Sequence, residues 1–393
     1  MTNPASNHGI DAATTLAKRI RSIDLLRGAV MVLMAIDHVR VYSGMPAGGP
    51  TAGIFFTRWV THFCVPAFVF FAGTSAFLYG NRINDKGKLV RYLVTRGLLL
   101  VVIELTFLRF CWTFNFNYDQ FTLAGVIWML GWCMVLLAAF VRLPARAIAI
   151  TGLCIMFLQQ AFQFLPHILP VGWRSSFGML WEFIYPSGFD GPPHIFILYV
   201  LVPWIGVMMA GYGFGKILTG DPIYRRKFCL WVGWSATAVF LIAGSLVILL
   251  GPPAKNNMPF IFRLLAQQKY PASQLYLLMT LGPLIALIPF AERVQGWFAD
   301  VLTTFGRVPL FYYLLHIPLI HVAALLVNLI REGSANQNLY STAPFTEIDE
   351  VHRWGLPLLY LVFAIVEVLL YFVCRRYAKY KLEHPEKKWL KYI

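Results

Sequence analysis

The chain has 393 residues, of which 58% are hydrophobic and only 13% charged. A water-soluble core of this size does not need so much apolar residue, so a soluble globular enzyme is excluded. The formal net charge of +15 does not call for nucleic acid, because Lys and Arg in loops facing anionic lipid account for it.

In chain order, apolar stretches long enough to span a bilayer fall at 23–42, 59–79, 91–111, 122–141, 146–165, 195–217, 228–250, 273–290, 308–330 and 356–374. The stretch 273–290 is the weakest, being short and interrupted by Gly282-Pro283. The expected fold is therefore all-α, a polytopic membrane helical bundle of about ten transmembrane helices. Counted over alternate connections, 23 Lys and Arg fall on one side, including seven after Cys374, and eight on the other. The richer side is cytoplasmic by the positive-inside rule, which places both termini in the cytoplasm. Three regions follow: a cytoplasmic tail at 1–22, the bundle at 23–374 and a basic cytoplasmic tail at 375–393. Residues 1–17 are polar, with neither an apolar h-region nor a cleavage site, so no secretory signal peptide is expected. The outer connections 166–194 and 251–272 are rich in Gly, Pro and aromatics and are expected to fold over the outer mouth. No internal repeat is evident, and the six cysteines form neither a CxxC nor a loop disulfide pattern, so no metal site is expected.

The first stretch carries the densest chemistry. RSIDLLRGAVMVLMAIDHVR holds Asp24, Arg27, Asp37, His38 and Arg40 in a helix otherwise suited to hydrocarbon. Ionisable groups in a membrane cost several kcal/mol each on insertion scales and default to a functional hypothesis. At about 100° per residue, Asp24, Arg27, Met31, Met34 and His38 share one face, with Arg27 and His38 roughly 16 Å apart along it. A cation at the inner end and an imidazole near the outer end suit a reagent held lengthwise across the membrane. His38 is the leading candidate for a general base, since only imidazole titrates near neutrality unperturbed. Asp37 is a second catalytic candidate, though it points about 100° away and is poorly placed to orient the same ring. Asp24 and Arg27, at i,i+3, read either as an ion pair or as an anion site in which the forked guanidinium holds a phosphate. Arg40 belongs to another face.

Further along, His62 stands one turn from Arg58 at the outer end of the second stretch, a third catalytic candidate with a structural alternative. Glu104 is the only acid inside the third stretch and is expected to pair with an Arg or His of another helix. In FGRVPLFYYLLHIPLIH, Arg307 marks the inner end and His316 sits mid-membrane, with Tyr312 one turn before it. Pro318 removes a backbone bond and frees the carbonyl of residue 314 near that imidazole. His316 and Arg307 read as binding residues, with a helix-bridging role for His316 equally open. The glycines of PWIGVMMAGYGFG suit close helix packing. No GxSxG or Walker loop occurs, which disfavours a serine hydrolase and a P-loop nucleotide enzyme.

RIRSIDLLRGAVMVLMAIDH, TRWVTHFCVPAFVFFAGTSAF, LVPWIGVMMAGYGFG, KYPASQLYLLMTLGP and GRVPLFYYLLHIPLIH, in that order, resemble the heparan-alpha-glucosaminide N-acetyltransferase catalytic-domain family, in its bacterial branch. Arg27 to His38 also matches the Arg-x10-His pattern of the related acyltransferase-3 membrane proteins. The resemblance implies a transmembrane acyltransferase of a bacterial inner membrane. Acyl-CoA, presumed acetyl-CoA, is then the cytoplasmic donor, and a sugar or other hydroxyl or amine of an envelope glycan, lipid or small molecule is the outer acceptor. It implies a CoA-contacting role for Arg27 and a base or acyl-carrying role for His38. The chain departs from the eukaryotic members, which place a catalytic histidine in the loop after the first helix, since no His lies between His38 and His62. A homodimer is left open. The alternatives are a proton-coupled transporter or flippase using Asp24, His38, Glu104 and His316 as a relay, and a non-catalytic membrane scaffold.

Overall fold

The computed structural model describes residues 20–48, 51–188, 191–252, 258–342 and 348–392. Most of the expected N-terminal tail thus lies outside the described residues. The described chain is mostly helical, with few strand residues. Its helices are α1 (Arg21–Tyr42), α2 (Ala52–Trp59), α3 (Cys64–Ile83), α4 (Lys86–Ile103), α5 (Arg109–Thr113), α6 (Val126–Phe140), α7 (Ala145–Phe157) and α8 (Val171–Trp181). They continue as α9 (Trp204–Leu218), α10 (Pro222–Leu250), α11 (Phe260–Leu265), α12 (Gln274–Ala291), α13 (Trp297–Arg307), α14 (Pro309–Glu332) and α15 (Leu356–Glu383).

A helix falls within each of the ten apolar stretches, and five satisfy a span in both length and hydropathy: 52–83, 222–250, 274–291, 309–332 and 356–383. The stretch expected to be weakest, 273–290, is among them, because α12 continues through Pro283 and Pro289. The other five stretches fall short for visible reasons. α1 and α4 are interrupted by charge, whereas α6, α7 and α9 have 15, 13 and 15 residues. About 17 are needed to cross unaided.

Two expected spans begin differently from the sequence reading. Residues 122–124 and 195–197 are strands β1 (Thr122–Ala124) and β2 (Ile195–Ile197), paired in parallel with Leu123 opposite Phe196. Non-helical backbone is tolerated in a membrane protein where such a ribbon and the protein around it satisfy its polar groups. The fifth stretch likewise leaves α7 after Phe157 for short 3-10 turns.

α1 is the central rod, mostly buried, and packs against α3, α12, α13, α14 and α15. Its contact with α13 is backbone on backbone. A Cβ on Gly28 would lie 1.8 Å from the Leu302 carbonyl oxygen, and one on Gly306 would lie 1.8 Å from that of Asp24. Only glycine at both positions permits this approach, which sets the N-terminal half of α1 against the end of α13. α3 and α9 meet in the same way through Gly73 and Gly211. At the far end of the chain, α15 runs without a break past residue 375 to Glu383. The segment after it folds back on α4, with Arg96 donating to the Lys391 carbonyl at 3.0 Å.

Candidate active site

Near the C-terminal end of α1, His38 meets His316 of α14. Nδ1 of His38 lies 2.6 Å from Nε2 of His316, and the rings stack with centroids 4.9 Å apart at 23°. Nδ1 of His316 is 2.6 Å from the Tyr313 carbonyl oxygen. A carbonyl only accepts, so with both rings neutral the tautomers are determined. Nδ1 of His316 carries its proton and donates to Tyr313. Nε2 of His316 then accepts from Nδ1–H of His38, which leaves the lone pair of His38 on Nε2. That is the proton state a general base requires. His38 is half-buried, and no group among the described residues bonds its Nε2. Trp112 presents an edge to the His38 ring at 5.1 Å, and Tyr313 packs edge-on to both imidazoles. The acceptor for His316 is thus Tyr313, where the proline argument pointed to residue 314.

The other expected residues separate into distinct groups. Asp37 turns from His38 to Arg40, with Nε to Oδ1 at 2.9 Å, and Arg40 also donates to the Met45 carbonyl at 2.8 Å. Asp37 therefore does not orient the imidazole, as its 100° offset on the helix implies. His62 bonds the Arg58 carbonyl through Nδ1 at 3.2 Å, and its own carbonyl accepts from the Tyr276 hydroxyl at 2.7 Å. It faces α12 and makes no hydrogen bond or ring contact with the His38–His316 pair. Glu104 finds no Arg or His among the described residues. Its carboxyl group accepts from the backbone N–H groups of Ile127 and Trp128 at 2.9 and 3.2 Å. A helix N-terminus presents unpaired donors and a positive dipole end, so the start of α6 takes the place of a cationic partner.

Toward the N-terminal end of α1, Arg27 holds three groups at once. It pairs with Asp24 at 3.5 Å, donates to Ser75 Oγ of α3 at 2.7 Å, and donates to the Gly306 carbonyl at 3.3 Å. Both sequence readings of Arg27 are compatible with this placement, since it is an ion-pair partner and also lines a cavity of about 240 Å³. Arg96 of α4, Arg307 of α13 and Lys381 of α15 join Arg27 in lining it. Its walls run through Met31, on the same α1 face as Arg27 and His38, as far as Tyr313. One tyrosine ring thus stands between the cavity and the paired imidazoles.

Sequence reasoning missed four contributors. Ser75, Arg96 and Lys381 were read as a helix residue and as topological charge, and nothing local marks them as converging. Lys269 was counted only as an outer-loop charge. It is 8% exposed, stands over the rings of Tyr199 and Tyr270 at 6.0 and 5.4 Å, and acts electrostatically on Asp37, His38 and His62 together. The block KYPASQLYLL, which begins at this lysine, was the available signal.

No curated protein matches the chain. Residues 19–251 match the family described as heparan-alpha-glucosaminide N-acetyltransferase, catalytic, over more than half of the length. The match contains Arg27, His38 and His62, while His316, Arg307, Lys269 and Lys381 lie beyond it. With five helices apolar and long enough to cross a bilayer and this match, the chain is a membrane protein and belongs to the heparan-alpha-glucosaminide N-acetyltransferase catalytic family, an acetyltransferase type of enzyme.

Proposed function

We propose that the protein transfers an acyl group, acetyl, from cytoplasmic acyl-CoA to a hydroxyl or amine on the outer side of a bacterial inner membrane. The chain crosses ten times with both termini cytoplasmic. The observation that carries the reading is a cavity lined by four cations that reaches Tyr313, whose ring also packs on the paired imidazoles of His38 and His316. Family members of this type use acetyl-CoA, and the lining fits such a donor. Arg27, Arg96, Arg307 and Lys381 suit its phosphates, and guanidinium forks suit them best. At about 240 Å³ the cavity is below the roughly 300–1,000 Å³ of sites that enclose drug-sized ligands. It therefore takes the thin acyl-bearing arm, and the nucleotide stays at the mouth.

In the transfer step, Nε2 of His38 removes the proton of the acceptor O–H or N–H as that atom bonds to the thioester carbonyl carbon. The tetrahedral intermediate collapses, the C–S bond breaks, and the departing thiolate takes the proton from His38. His316 accepts from Nδ1–H throughout and spreads the charge that develops on His38. Lys269, close to His38 on the outer side, suits stabilisation of the anionic intermediate or an anionic acceptor. Asp37, held by Arg40, and His62, against Tyr276, carry no proton of this step. A proton relay through Glu104 is disfavoured, because its carboxyl group is engaged by the start of α6.

The deciding experiment compares envelope glycans and lipids by mass spectrometry in cells with the gene, without it, and with His38→Ala. An acyl-bearing species present only with the unaltered gene supports the reading. Identical acylation in all three cell types refutes it.

A further inference from the structure

A second cavity, of about 690 Å³, lies on another face of α3, on the Phe70 side rather than the side of Ala72 and Ser75. Its origin is in how the surrounding helices pair. α7 packs tightly on α9 through Gly152, Gly206 and Gly213, and α10 packs on α12 through Gly233 and Gly282. α9 and α10, although consecutive, scarcely touch. The seam between the two pairs stays open, walled by Leu153 and Phe157 of α7, Val232 of α10 and Ile285 of α12. Most of α10 is not covered by protein, so the seam opens sideways to the surrounding bilayer.

One end of this apolar seam is cationic. Arg146 and Lys216 line it there, both exposed and neither engaged by a carboxylate among the described residues. The nearby acids are committed elsewhere. Asp221 accepts from the Tyr224 N–H at 2.7 Å as the cap of α10, and Glu292 pairs with Arg225 at 2.8 Å. From Arg146 to Phe157 the seam follows α7 for roughly 16 Å at 1.5 Å per residue. That is about half of a hydrocarbon core of some 30 Å, the depth of one leaflet.

We infer that this seam binds one anionic diacyl phospholipid, with its phosphate on Arg146 and Lys216 and its acyl chains against α7 and α10. Apolar walls one leaflet deep select lipid chains, and two unengaged cations at the headgroup level select a negative headgroup over a zwitterionic one.

The test uses the full-length protein in detergent, titrated with phosphatidylglycerol or phosphatidylcholine of identical chains and read by native mass spectrometry. Phosphatidylglycerol should be retained in preference. The double variant Arg146→Gln, Lys216→Gln should lose roughly thirty-fold in its affinity, as expected of two cations contributing about 1 kcal/mol each. Ala236→Phe, which fills the seam from α10, should remove retention of both lipids without lowering the melting temperature of the lipid-free protein. Equal retention of the two lipids, or unchanged phosphatidylglycerol affinity in the double variant, overturns the inference. Competition by glycerophosphate without chains, or a lipid extract holding an uncharged or glycan-linked lipid in equal amount to the protein, also overturns it. None of these readouts depends on acyl transfer.

Discussion

At the scale of single residues, the function of His38 turns on which nitrogen of its neighbour carries a proton. The Tyr313 carbonyl accepts from His316, so in the proposed mechanism His316 positions the ring of His38 and His38 is the base. His38→Ala should lower turnover by about 10²–10⁴-fold with donor affinity intact, because the base acts on the acceptor. His316→Ala should lower kcat and leave KM for the donor unchanged. His316→Asn should recover part of that loss, since its amide oxygen can still accept from Nδ1–H of His38. If His316 only fills space, asparagine will do no better than alanine, and steady-state kinetics of the three variants distinguish these outcomes. Arg27 poses a different question, because it both pairs with Asp24 and lines the cavity proposed for the donor. Arg27→Ala should weaken CoA binding, and Arg27→Lys should restore only part, as lysine keeps the charge without the fork. Asp24→Asn combined with Arg27→Ala should melt higher than Arg27→Ala alone, by relieving an unpaired buried carboxylate. Unchanged CoA affinity in a stable Arg27→Ala protein would remove the arginine from the donor site.

At the scale of elements, two unusual junctions hold the site. The first is the start of α6, where a π turn at Glu104–Leu108 carries Glu104 beneath the N–H groups of Ile127 and Trp128. Glu104→Leu should leave both donors buried and unsatisfied, at about 1–3 kcal/mol each, whereas Glu104→Gln keeps an acceptor and should cost much less. Thermal unfolding in detergent measures the difference, and equal stability of the two variants would mean that Glu104 does not cap the helix. The second junction is the crossing of α1 and α13. An alanine at Gly28 or Gly306 would force backbones apart that now touch, costing roughly 1–3 kcal/mol. CoA affinity should fall with stability, because Gly306 also accepts from Arg27. Helix periodicity put Asp24, Arg27 and His38 on one face from sequence, because that relation is local. The partner of Glu104 was not legible, because the donors that replace an Arg or His are backbone groups with no side-chain identity.

At the scale of the whole molecule, the topology rests on the charge split of 23 to eight. Reporter fusions near residues 85, 222 and 385 should report cytoplasm, and those near 180, 260 and 340 the outer side. A cytoplasmic report at 260 would break the ten-span path around α10 and α12. The proposed path assigns two observed contacts to opposite sides. Lys86 of α4 donates to Tyr212 of α9 at 3.2 Å on the proposed inner side, and Gln160 meets Gln274 at 2.9 Å on the proposed outer side.

Composition and periodicity were enough to read a helical membrane protein, an ionisable seam on its first helix and candidate residues at both ends of that seam. Those properties depend on neighbours within a few turns, or on sums over the chain, and both are written in the linear order of residues. The pairing of His38 with His316 joins positions 278 residues apart, and the cationic mouth draws Arg27, Arg96, Arg307 and Lys381 from four separate helices. No local rule relates such residues. Their meeting depends on where glycines allow backbones to touch and on which helices those contacts bring side by side, and the three-dimensional packing alone contains that information.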